Sequence, residues 1–256
     1  MSNIKSVFQN GKAMIAFITC GDPDFNTTAA VMRTAVENGA AMIELALPFS
    51  DPTVEEAVVQ ESSIRALRGG ATTDAIFAFL RAHRHDVDVP VVLYTYANVM
   101  FSYGMERFAA ACREVGVDGI LITDIPFEER DEFHPACKAH GVDLIPLIAP
   151  ASDERIAAIA ADAEGFLYAV SNPGESGERG GFTVVLEKFT EIVRRTTDVP
   201  CVVSASDLGE VRRLSPAAGG IVVIEGIASL LEKYGKDAPA HVGAYLAEVR
   251  RTMDEA

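Results

Sequence analysis

The chain has 256 residues, 49% of them hydrophobic, and a formal net charge of −15. That is enough apolar material for one sizeable core, and the acidic balance, with no Lys/Arg cluster against it, argues against a nucleic-acid partner. The N-terminal "MSNIKSVFQNGKAM" has no signal-peptide core, and no run approaches the roughly 18 apolar residues of a membrane span, so a cytoplasmic protein without membrane contact is expected. The elements follow from short apolar runs, in chain order "MIAFIT" (14–19), "AMIEL" (41–45), "PVVLYT" (90–95), "DGILIT" (118–123), "DLIPLI" (143–148), "GFLYAV" (165–170), "PCVVSA" (200–205) and "GIVVI" (220–224). Their apolar residues are consecutive rather than alternating, which suits strands of a parallel sheet buried on both faces.

Between the runs lie amphipathic helices. In "MERFAAACREVG", Met105, Phe108, Ala109 and Cys112 share a face; in "VLEKFTEIVRRT", Leu186, Phe189, Ile192 and Val193 do the same. "ENGAAMIEL", "EVGVDGILI" and "AHGVDLIPL" repeat one layout, a helix end followed by Gly39, Gly116 or Gly141 and then a strand. A glycine there predicts a left-handed helix terminus. Eight strands alternating with helices predict an α/β fold, a single-domain (β/α)8 barrel over 1–256, with its active site on the loops after the strands. The four cysteines, Cys20, Cys112, Cys137 and Cys201, lack metal spacing and read as buried thiols.

The polar residues at strand exits are therefore the candidates. Glu44 interrupts the second run. A carboxylate facing into a barrel loses water, so its pKa rises toward that of a useful acid or base; alternatively it is half of a buried ion pair. Tyr96 and Asn98 follow the third run, Asp124 the fourth and Tyr168 lies in the sixth. Each alone is as compatible with a structural role, but together they line one rim. "SNPGESGERGGF" after the sixth run has four glycines in 174–181, as a lid or an ordinary loop would. It is neither a Walker nor a dinucleotide fingerprint, so no nucleotide cofactor is expected, and with no His cluster no metal.

The motifs "FITCGDPD", "IELALPFSDP", "LYTYANVMFSYG", "GVDGILITDIPFEE" and "LYAVSNPGESG", in this order, resemble the tryptophan synthase alpha subunit family. The resemblance implies cleavage of the small-molecule substrate indole-3-glycerol phosphate to indole and glyceraldehyde 3-phosphate, without a cofactor of its own. It also implies a pyridoxal-phosphate-dependent beta subunit as partner, with the loop after the second strand in the contact. It places the acid that protonates the indole ring carbon at Glu44. The second carboxylate, which takes the indole N–H proton, falls at Glu55, where the family has Asp. Glu56 and Ala57 replace the Gly and Pro that follow. Tyr168 completes the catalytic candidates, and Phe17, Tyr96, Asp124, Ser176 and Gly177 join the substrate-binding ones.

The family holds its phosphate on a Gly-Phe-Gly turn and a helix start bearing Gly-Ser. Here "SASD" (204–207) puts Ser204 and Ser206 at the glycines, and "VVIEGIAS" (222–229) puts Glu225 at or beside the Ser; Asn172 and Ser176 replace an Arg and a Thr in the lid. A carboxylate about 4 Å from a phosphate costs roughly 4 kcal/mol per unit charge at an effective dielectric near 20. These departures leave open a diverged ligand without phosphate, or a non-catalytic partner of a beta-type subunit.

Overall fold

The structure, a computed structural model, describes residues 4–9, 11–149, 151–170 and 181–256. Nine strands are present among them: β1 (Ala13–Thr19), β2 (Met42–Ala46), β3 (Val91–Thr95), β4 (Gly119–Ile122), β5 (Asp143–Ile145), β6 (Leu147–Ile148), β7 (Leu167–Ala169), β8 (Cys201–Ala205) and β9 (Gly220–Val223). All pairings are parallel, in the order β5-β4-β3-β2-β1-β9-β8-β7-β6. The two ends of that order, β5 and β6, are separated in the chain only by Pro146, so the sheet curls back on itself as a barrel with helices between its strands. The expected single strand over 143–148 is thus two pieces. Proline has no N–H to give a ladder, and the run breaks there.

Alternation along each strand sorts the core. Met14, Ala16 and Ile18 of β1 face the helices, where they join Ile43, Leu45 and Leu93. Ile15 and Phe17 face inward with Met42, Val92, Tyr94 and Leu121. On β2 the inward positions are Met42, Glu44 and Ala46, so Glu44 points into the barrel between two apolar neighbours. The helix faces follow the expected periodicity: Phe108, Ala109 and Cys112 are buried on Met105–Glu114, and Leu186, Phe189 and Val193 on Gly181–Thr196. Gly39, Gly116 and Gly141 all have positive φ (94°, 75° and 67°), which a side chain would strain. All four cysteines are buried and free.

The N-terminal ends of the strands are sealed by a short helix, Ile4–Val7, that the apolar runs did not predict. Ile4 is fully buried, and Phe8 lies against Phe166 with ring centroids 6.1 Å apart. Gly119 and Gly165 leave the room: a Cβ would stand 3.0 Å and 3.3 Å from the Ile4 side chain. With that end plugged, the opposite rim is left for chemistry. No described helix is long and apolar enough to cross a membrane.

Candidate active site

Glu44 sits on β2 between Phe17 of β1 and Val92 of β3 in the register of the sheet. It is fully buried, and neither carboxylate oxygen has a hydrogen-bond partner among the described residues. Burial without compensation pushes its pKa up to about 8. At neutral pH it carries a proton in an apolar surround, as a general acid requires. Among the described residues no basic group pairs with it, so the ion-pair alternative is not realised there. Buried carboxylates are normally satisfied, so two oxygens without a partner among the described residues mark Glu44 as a candidate functional group.

Around Glu44 the interior is aromatic. Phe17 meets Tyr94 edge-on, with centroids 5.1 Å apart. Tyr168 is buried on β7; burial first, and then the nearby Glu44 carboxylate, push its phenol well above the ordinary range, while a hydrogen bond with Ser204 pulls the other way. Glu44, Tyr168 and Ser204 therefore share one chamber. Tyr94, a polar residue at the exit of the third run but not among the proposed site residues, belongs to it as well. Its phenol is pushed well up by burial and then by Glu55, and Glu44 also contributes. The alternation of "VVLYT" places Tyr94 on the inner face, and this was the available signal.

Glu55 is partly buried in the loop between β2 and the helix Ala57–Arg68. Tyr96 donates its hydroxyl hydrogen to Glu55 Oε2. The same phenol oxygen accepts from the Thr53 N–H at 3.0 Å, and its ring stacks on Phe49 at 4.6 Å. Tyr96 is thus turned to the loop of Glu55. Asp51, in contrast, is exposed and accepts from its neighbour Ser50 at 2.6 Å. Asp124 stands exposed at the rim after β4, where its Oδ1 accepts from the Ala97 N–H at 2.7 Å, the first residue of the helix Ala97–Tyr103.

The loop after β1 anchors this arrangement. Asp22 is fully buried and takes both Nε and Nη2 of Arg65 at 2.8 Å, with a further bond from Ser62. Arg65 and Ser62 lie on Ala57–Arg68, so the ion pair fixes the helix that begins just after Glu55 and Glu56.

The opposite side of the rim is acidic. Asp207 caps the helix Leu208–Leu214 by accepting from the Glu210 N–H at 2.8 Å, and Glu210 Oε2 reaches back to the Ser206 N–H and hydroxyl at 3.0 and 2.8 Å. This is a reciprocal cap written by "SDLGE", and it engages the Ser206 hydroxyl. Glu225 opens the helix Glu225–Tyr234, partly buried, with Oε2 unpartnered. Burial raises its pKa, and Glu56, Glu210 and Asp207 add to the rise. Tyr245, from the C-terminal helix Ala238–Glu255, lies over this helix start: a Cβ on Gly226 would fall 2.3 Å from its ring. No motif marked Tyr245 in the sequence. Ser176, Gly177 and Asn172 lie outside the described residues.

Comparison with known proteins agrees with this architecture. The family model described as tryptophan synthase alpha chain matches residues 3–256. The tryptophan synthase alpha chain of Lacticaseibacillus casei is 35% identical over 99% of this chain and 96% of its own length. That of Dechloromonas aromatica is 41% identical over 100% and 99%. Among solved structures, tryptophan synthase subunit alpha from Legionella pneumophila superposes with a TM-score of 0.89 at 28% identity, covering 100% of both chains. A chain of the tryptophan synthase complex from Pyrococcus furiosus gives 0.85 at 28%, covering 94% of this chain and 98% of that one. A barrel with a buried, proton-bearing Glu44 at its mouth, matched from end to end by these relatives, belongs to the tryptophan synthase alpha chain family, lyases of tryptophan biosynthesis.

Proposed function

We propose that this chain cleaves indole-3-glycerol phosphate to indole and glyceraldehyde 3-phosphate, with Glu44 as acid and Glu55 as the second acid–base group. The observation that carries the proposal is the fully buried Glu44, whose two oxygens have no partner among the described residues. Glu44 gives its proton to the indole ring carbon that bears the glycerol chain. Glu55 takes the N–H proton, which leaves a neutral indolenine. The hydroxyl beside the breaking bond then releases its proton to the Glu44 carboxylate as a carbonyl forms. The carbon–carbon electron pair moves into the ring, and Glu55 returns its proton to nitrogen. The protonated ring is the electron sink, and every proton is accounted for by two carboxyl groups.

Phe17, Tyr94 and Tyr168 form the apolar chamber for the indole ring. Ser204, Ser206 and Glu225 lie toward the phosphate end in this reading, with Asp124 at the rim; Ser176 and Gly177 are proposed as substrate-binding from the family motif. A beta subunit carrying pyridoxal phosphate is the proposed partner. The likeness to a chain of the Pyrococcus furiosus complex supports it, as do two exposed apolar residues, Val54 after β2 and Phe101 in the helix after β3.

The test is indole release from indole-3-glycerol phosphate by the chain alone and with a beta subunit added. Release that disappears in Glu44→Gln supports the reading. No release under either condition refutes it.

A further inference from the structure

A glutamate in place of a shorter acid needs something to hold its extra methylene, and Tyr96 is in position to do so. It is 2% exposed, and its ring is fixed against Phe49 of the same loop that carries Glu55. Its oxygen already accepts from the Thr53 N–H, which directs the single phenolic hydrogen elsewhere, and that hydrogen is given to Glu55 Oε2. The loop backbone is held from a second side by the Gln60 amide, which donates to the Glu55 carbonyl at 2.8 Å. One carboxylate oxygen is thus clamped by the phenol.

We infer that Tyr96 is a positioning residue: its hydroxyl aims Glu55 at the reacting ring, and it acts through Glu55 rather than by touching substrate. The inference rests on the role given to Glu55 above. It explains how a longer acid meets the tolerance of well under about 1 Å that reactive geometry demands. A freely rotating glutamate would lose that alignment, whereas a hydrogen bond from a stacked, buried phenol removes the freedom.

The experiment is a double-mutant cycle on indole release with Tyr96→Phe, Glu55→Asp and the pair, with Glu55→Gln as reference and circular dichroism as the folding control. Tyr96→Phe keeps the ring stack and removes only the hydroxyl. It is expected to lower kcat roughly ten- to a hundredfold, the range for losing a hydrogen bond to a charged group, with KM nearly unchanged. In the Glu55→Asp background the carboxylate is withdrawn from the phenol, so the added Tyr96→Phe is expected to cost less than about threefold. Equal losses in both backgrounds would overturn the inference. So would a raised KM at unchanged kcat, which marks direct substrate contact. Should Tyr96→Phe fail to fold, Phe49→Leu, which releases the ring and keeps the hydroxyl, reads the same coupling to Glu55→Asp. Full turnover in Glu55→Gln would sink the role of Glu55 itself. Loss in Glu55→Gln with wild-type kcat in Tyr96→Phe sinks only the role of Tyr96.

Discussion

Replacing Glu44 with Gln should make a protein that is inactive and, at alkaline pH, more stable. A rise of the pKa from 4.5 to about 8 means that holding the charge in the barrel costs about 5 kcal/mol relative to water. The native state keeps its proton from about pH 4.5 to 8, a range in which the unfolded chain has lost it. The native state therefore binds more protons there, and stability falls as pH rises through that window. The contribution is whole below about pH 4.5 and gone above about pH 8. Glutamine is neutral throughout and similar in shape, so it removes the loss. Urea unfolding of both proteins at pH 6 and pH 9 measures part of it: between these two pH values the variant should gain on the wild type by up to about 3 kcal/mol, and less if water enters. Wild-type kcat should fall above about pH 8 as the acid form disappears. Parallel stability profiles, or wild-type activity in Glu44→Gln, would refute the assignment of a buried, protonated acid.

Glu225→Ser removes a half-buried charge from the acidic side of the rim. Screening reduces the bare repulsion of a bound phosphate to about 1–2 kcal/mol, so KM for indole-3-glycerol phosphate should drop about tenfold at pH 8, and an unchanged KM would show that Glu225 does not face the phosphate. Because its carboxyl is shifted upward, the wild-type KM should also fall as pH is lowered. Asp22→Asn removes the buried counter-charge of Arg65, leaving it the more distant Glu232 at 3.9 Å, and should cost about 3 kcal/mol in urea unfolding; a loss below about 1 kcal/mol would mean that the Asp22 ion pair does not anchor the helix. Gly165→Ala, at φ 62°, sets a methyl 2.7 Å from Ile145 Cδ1 and should lower stability by about 1–3 kcal/mol, readable as a reduced Tm.

The barrel was legible because doubly buried strands write continuous apolar runs, and Glu44, a carboxylate inside one of them, was conspicuous for the same reason. Its environment was not legible: whether a distant base would neutralise it depends on contacts between strands far apart in sequence. Glu55 and Tyr96 were both found as candidates, yet their bond, across 41 residues, lies beyond any local pattern. Tyr96 was read as a ligand contact because a tyrosine at a strand exit carries no mark of what its hydroxyl meets. The helix Ile4–Val7 is shorter than a periodicity window and owes its order to burying Ile4. Pro146 lies inside a run that is otherwise apolar, so the run read as one strand. Tyr245 reaches Gly226 from the last helix, a placement that only tertiary packing sets.

The break at Pro146 makes the barrel a clasp rather than a seamless ring. Its closure runs between a three-residue strand, β5, and a two-residue strand, β6. On one side Asp143 N–H binds the Asp118 carbonyl; on the other, Tyr168 and Val170 donate to the carbonyls of Pro146 and Ile148 at 3.0 and 2.9 Å. Short pairings next to a missing donor open at the lowest free energy in a sheet. Here the inner wall beside that joint is Tyr168, the phenol across from Glu44. The lightest ladder in the sheet, two residue pairs between β6 and β7, thus borders the reactive chamber, whereas β1 and β2 pair over five.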